Sequence, residues 1–97
     1  MTTYRLTSAA LSELREATLY YERKEPGLGL KFLDEIDDTI ERTLRFPRAW
    51  HPLSARTRRC RTHRFPFGIL YQVRSDEILI TAVMDLRRDP RRWRDLD

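Results

Sequence analysis

The chain has 97 residues, 40% hydrophobic and 35% charged, enough apolar side chain for one core and too little length for two. Its formal net charge of +4 is unevenly placed: residues 1–47 carry 7 basic and 9 acidic side chains (−2), and residues 48–97 carry 12 and 6 (+6), all 12 being arginine. Cys60 is the only cysteine, which excludes an internal disulfide and leaves any zinc site to His51, His63 and carboxylates; no metal or cofactor is expected. MTTYRLTSAALSEL is interrupted by Arg5, Ser8, Ser12 and Glu13, too polar for a signal peptide or a membrane span, and the expectation is a cytoplasmic protein with no membrane partner.

Tyr4 to Thr7 alternate in polarity and predict a short first strand. Ser8 then caps a helix reaching about Lys24, with Leu11, Leu14, Thr18 and Tyr21 as its core stripe and Glu13, Arg15, Glu16 and Arg23 on the other side. Pro26-Gly27 breaks the pattern. A second amphipathic helix follows, with Phe32, Leu33, Ile36, Ile40 and Leu44 on one face and Asp34, Asp37, Asp38 and Glu41 opposite, until Pro47 stops it. So short a turn predicts an antiparallel helical hairpin. Residues 48–55 read as a loop carrying Trp50 and His51.

The period then changes to two. Arg59, Arg61 and His63 share one side of a strand, and Arg58, Cys60 and Thr62 the other. After Pro66, FGILYQVR predicts a second strand with apolar residues on both faces. A turn at Ser75-Asp76-Glu77 leads into EILITAVMD, paired antiparallel with it. Pro90 keeps the tail LRRDPRRWRDLD from continuing the ladder. Strand, helix, helix and three strands make one α+β domain over residues 1–97. The helical hairpin covers one face of an antiparallel sheet. The other face, with Arg59, Arg61 and the arginines after the last strand, is expected to be an open, concave basic surface.

The motifs A-x-x-E-L-x-E-A and YYE in the first helix, PGLGLKFLDEI opening the second, RFPFGILYQV, and AVMDLRRDPRRW resemble, in order and spacing, the RelE/ParE superfamily of toxins from bacterial type II toxin–antitoxin systems. The resemblance implies a small microbial-RNase-like α+β fold and a cognate antitoxin. It also implies one of two targets: mRNA on the ribosome, cleaved by RelE-like members, or DNA gyrase, inhibited by ParE-like members. Residue by residue it sets Arg59 and Arg61 where RelE has two lysines, Arg87 at its late arginine and Trp93 at its tyrosine. Gly68 stands where RelE has a third-strand arginine, and many relatives have histidine where Asp85 stands.

RNA cleavage by a 2′-hydroxyl needs a base, an acid for the leaving oxygen and cations around the transition state. Arginine supplies the cations but does not readily exchange a proton, and tryptophan has no hydroxyl to donate one. His63, whose ordinary pKa lies near neutrality, and Asp85 are therefore the candidates for proton transfer, beside Arg59, Arg61 and Arg87 as the catalytic cations. The competing reading of Asp85 is a salt bridge that orders Arg87 or Arg88. Arg58, Arg64 and Arg88 are candidate RNA contacts, with Trp93 able to stack on a base. Trp50 reads as a loop anchor or antitoxin contact, and Cys60 as an inert thiol. The expectation is a toxin that cleaves mRNA on the ribosome. The alternatives are a ParE-like non-enzymatic gyrase inhibitor and an inactive antitoxin-binding module.

Overall fold

The computed structural model describes residues 3–88. In chain order the elements are β1 (Thr3–Leu6), α1 (Ser8–Lys24), α2 (Leu28–Arg45), β2 (His51–Pro52), β3 (Arg58–Arg61), β4 (Phe67–Arg74) and β5 (Glu77–Asp85). They form one sheet of order β1-β5-β4-β3-β2, with both helices on one face. The expected α+β architecture holds, but the sheet is mixed. β1 runs parallel to β5, with Tyr4 opposite Ile78 and Leu6 opposite Ile80, and the remaining pairs are antiparallel. A parallel neighbour needs a long crossover, and here the helical hairpin and three strands lie between the two. Among the described residues no helix is long and apolar enough to cross a membrane.

α1 begins one residue earlier than its expected cap implied. Thr7 is in an extended conformation, and its hydroxyl accepts from the Ala10 amide at 3.1 Å, satisfying one of the amides that a helix start leaves unpaired. The buried face is Ala10, Ala17 and Tyr21, with Leu14 and Thr18 half-buried, whereas Leu11 is 39% exposed. Spacings of 4, 3 and 4 from Ala10 define that stripe, and Leu11 sits about 100° further round. The small side chains let the helix approach the sheet closely. α2 matches its expected face, with Phe32, Ile36 and Ile40 buried, and adds Glu35, Thr39 and Thr43 to the interior.

The turn between the helices is closed by a carboxylate. Both oxygens of Glu22 accept from the Gly27 amide at 3.1 Å, and one also accepts from Gly29 at 3.1 Å. Gly27 has φ +90°, a conformation that a side chain disfavours. Gly29 is where the helices touch, since a Cβ there would lie 2.8 Å from the Thr18 carbonyl oxygen. Beneath them Tyr21, Phe32, Phe65 and Phe67 form an aromatic cluster with ring centroids 4.8–6.0 Å apart, mostly edge to face, a favoured arrangement for aromatic quadrupoles.

β4 and β5 are not in simple register. Leu70 pairs with Ala82 and Tyr71 with Ile80, so Thr81 is an extra residue in β5, a β-bulge. Ile78, Ile80 and Val83 thereby share the helix-covered face with Ile69 and Tyr71. Leu70, Ala82 and Met84 fall on the other face, buried against Leu53 and Leu86. The expectation of an open basic platform on that face is corrected: it holds a second, smaller apolar cluster.

Gly29→Ala is expected to lower the free energy of unfolding by about 1–3 kcal/mol through overpacking, although alanine favours an unencumbered helix position by about 1 kcal/mol. Urea titration followed by circular dichroism measures it. Unchanged or raised stability would mean the hairpin can open without cost.

Candidate functional site

The short strand β3 presents the candidate cations. Alternation turns Arg58 and Cys60 toward α2 and turns Arg59 and Arg61 away from it. Cys60 is fully buried, with its thiol 3.9 Å from the Thr39 carbonyl oxygen, and burial pushes its pKa up; it is an unreactive setting, as the sequence suggested. Arg58 donates to the Trp50 carbonyl at 2.9 Å. The stem of Arg59 lies across Gly68, its Cγ 3.2 Å from where a Cβ on that glycine would stand. Its Nε is buried without an acceptor. Burial and then the neighbouring Arg61 charge pull its pKa below the ordinary arginine value. Among the described residues the ion pairs are Arg5–Glu77 and Arg87–Asp85, so neither Arg59 nor Arg61 has a carboxylate. Among the described residues they are neighbouring cations with no ion-pair partner.

Asp85 and Arg87 are brought together elsewhere. Asp85 Oδ1 accepts from the Arg87 backbone N–H and Nε, both at 3.0 Å, and Oδ2 accepts from Nη2 at 2.9 Å. These bonds hold the carboxyl below its ordinary 3.8 and raise the guanidinium further. Asp85 stands opposite Phe67 on the helix side of the sheet. With Arg87, Arg88, Tyr20, Glu13 and Glu16 it lines an opening of about 390 Å³ between α1 and the end of β5. There β1 has already ended and β5 has a bare outer edge. Glu13 Oε1 accepts from the Val83 amide at 3.0 Å on that edge. Sequence reasoning placed Glu13 on the solvent side of α1; its position between Ala10 and Ala17 was the available signal.

His63 and Arg64 lie past the end of β3, which stops two residues short of where the alternation placed it. Thr62 ends the strand by donating its hydroxyl to the Phe67 carbonyl at 3.1 Å while its amide bonds the same carbonyl at 3.0 Å. The two residues share an opening of about 310 Å³ with Lys31, Asp34, Glu35 and Asp38, where the buried Glu35 accepts from the Arg64 amide at 2.9 Å. His63 itself is exposed. The two proton-transfer candidates, His63 and Asp85, thus line different openings. Among the described residues no group of three or more His, Cys, Asp or Glu is placed to hold a metal ion. Trp93 lies outside the described residues.

Two helices packed on a five-stranded mixed sheet, with arginines on a short strand near its edge, define a small toxin of the kind the motifs resembled. A sequence model of the ParE toxin of the type II toxin–antitoxin system, parDE, matches residues 4–90, and the chain belongs to this family. It is the toxin component of a type II toxin–antitoxin system, which implies a cognate antitoxin as partner. Among solved structures it is similar to a chain of the chromosomal ParDE toxin–antitoxin system from P. aeruginosa, at 18% identity and a TM-score of 0.65, covering 89% of this chain and 97% of that one. At that identity the likeness speaks to the fold. No curated protein matches the chain.

Because the Asp85 carboxyl is lowered in the folded state, its pairing with Arg87 contributes stability above the ordinary 3.8 and loses it as pH falls through the lower folded value. Thermal melts are expected to show wild type above Asp85→Asn at pH 7 and the gap closing on acidification below about pH 4. A gap that persists in acid would assign the effect to packing instead.

Proposed function

We propose that this toxin acts by binding its target rather than by cutting RNA, and that the target is DNA gyrase, as for ParE-like toxins. The observation that carries the reading is that Arg59 and Arg61 have no ion-pair partner among the described residues, while Asp85, the candidate base, is engaged by Arg87 on the helix side of the sheet. Both oxygens of Asp85 are engaged by Arg87, and its lowered pKa makes it a weak base. His63 lines the other opening. Arg59, though its pKa is lowered, remains a proton-holding cation at neutral pH. Such a pair stabilises negative charge but moves no proton, so it suits recognition of an acidic protein surface better than two-step acid–base chemistry. The sequence-based preference for mRNA cleavage rested on Arg59, Arg61 and Arg87 acting together. Arg87 is held by Asp85 against the α1 side, and that constellation loses its support.

On this reading Arg59 and Arg61 contact the target in the cytoplasm. Electrostatic steering speeds the encounter, and the antitoxin neutralises the toxin by covering or distorting the same arginines. Asp85, Arg87 and Arg88 belong to the α1–β5 opening and are proposed as a second contact region rather than a catalytic group.

Purified toxin is to be added to a gyrase supercoiling assay and, in parallel, to cell-free translation. Supercoiling is expected to be blocked with mRNA intact. Arg59→Ala/Arg61→Ala is expected to need on the order of tenfold more protein for the same inhibition while remaining folded. Codon-dependent mRNA breaks with supercoiling unaffected would overturn the proposal.

A further inference from the structure

β3 is four residues long, and its outer neighbour β2 pairs with it only at His51–Arg59 and Pro52–Arg58. The Thr62 amide bonds Phe67 on the β4 side, so by antiparallel alternation the Arg61 carbonyl faces outward, beyond the end of β2. That carbonyl has no ladder partner from β2 and takes a donor from another element. It comes from α2: Arg42 Nη2 donates to the Arg61 carbonyl at 3.0 Å and to the Thr39 hydroxyl at 3.1 Å. Its Nη1 reaches Cys60 Sγ at 3.7 Å.

The same guanidinium lies over the Trp50 ring, 5.6 Å from its centroid. Trp50 answers by donating its indole N–H to the Arg42 carbonyl at 3.2 Å. Among the described residues Arg42 has no carboxylate partner, and its Nε is buried without an acceptor. An unmet buried donor costs about 1–3 kcal/mol. A shorter apolar residue would escape that cost, and what it would give up is the fork that spans Thr39 and the last residue of β3.

We propose that Arg42 is a positioning residue for Arg61: it takes the place of a missing β2 neighbour and fixes the direction in which Arg61 meets the toxin's target. The proposal rests on the reading of Arg61 as a contact residue. It adds that a side chain on the far side of the sheet from the target sets that contact's geometry. Lysine preserves the charge but lacks the planar fork and the ring-stacking face, so the conservative replacement is expected to fail.

The test compares Arg42→Lys, Arg42→Gln and Trp50→Phe with wild type, each also combined with Arg61→Ala. Trp50→Phe keeps an aromatic face while removing the indole N–H. Urea unfolding identifies the folded variants. Potency is read as inhibition of gyrase supercoiling and as growth arrest on graded expression, which registers toxin action whatever the target. Arg42→Lys is expected to lose about tenfold in potency in the wild-type background and no more than about twofold beside Arg61→Ala, the non-additivity of residues acting through one contact. Trp50→Phe is expected to follow in the same direction with a smaller loss, and it carries the test if the Arg42 variants do not fold.

Full potency of folded Arg42→Lys, or an equal fold-loss with and without Arg61, would overturn the proposal, the latter being the mark of general loosening. Arg61→Ala alone at full potency would sink the contact reading itself. Growth arrest with gyrase unaffected would sink only the choice of target and leave the arrest series to decide Arg42.

Discussion

Thr81 stands opposite no residue of β4, and the placement of almost every side chain in the sheet depends on that one insertion. In a strand of strict period two, Ile78, Ile80, Ala82 and Met84 would share a face. The bulge reverses the phase after Ile80, sending Val83 and Asp85 beneath the helices while Ala82 and Met84 turn outward to meet Leu70. The Thr81 hydroxyl donates to the Leu70 carbonyl at 3.4 Å, and Thr7 donates to the Thr81 carbonyl at 3.4 Å, so the irregularity is tied to β4 and to the cap of α1. Functionally it decides where the acid goes. Asp85 carries Arg87 with it to the α1 side, and among the described residues the Arg59–Arg61 pair is left without a carboxylate.

The arginine excess divides accordingly. Arg5 is engaged by Glu77, Arg87 by Asp85, Arg58 by the Trp50 carbonyl, Arg74 by Gln72 and Arg42 by Thr39 and Arg61. Some of these ties join different elements and others are local, and the fork of the guanidinium suits both because it reaches several acceptors at once. A net charge counted from composition therefore overstates the freely available cationic surface. The Arg59–Arg61 pair stands out among the described arginines, made more demanding of a partner by the partial burial of Arg59.

Periodicity alone located both helices, their turn and the three long-range strands, because each of those signals is local. α2 was legible to the residue at Phe32, Ile36 and Ile40. In α1 the expected stripe errs only at Leu11, since leucine outweighs Ala10 in any hydrophobic count although alanine is what close packing on the sheet requires. The parallel pairing of β1 with β5 had no local signal, nor did the bulge at Thr81, which leaves an unbroken apolar run. The grouping of Arg87 with Arg59 and Arg61 came from likeness to one branch of the superfamily. In the structure Arg87 is engaged by Asp85, an ion pair that their spacing of two makes easy to form.

Gly68 and Arg59 constrain each other in a way that bears on how such toxins diversify. With the Arg59 Cγ 3.2 Å from the place of a Gly68 Cβ, a side chain introduced at 68 must push the arginine stem aside by a few tenths of an ångström. The bare backbone at 68 is thus the bed on which that stem lies, and the aim of the cation is set in part by a residue that contributes no side chain. Variation at 68 and at 59 is therefore coupled, and a change at either is felt first as a change in where the Arg59 charge points.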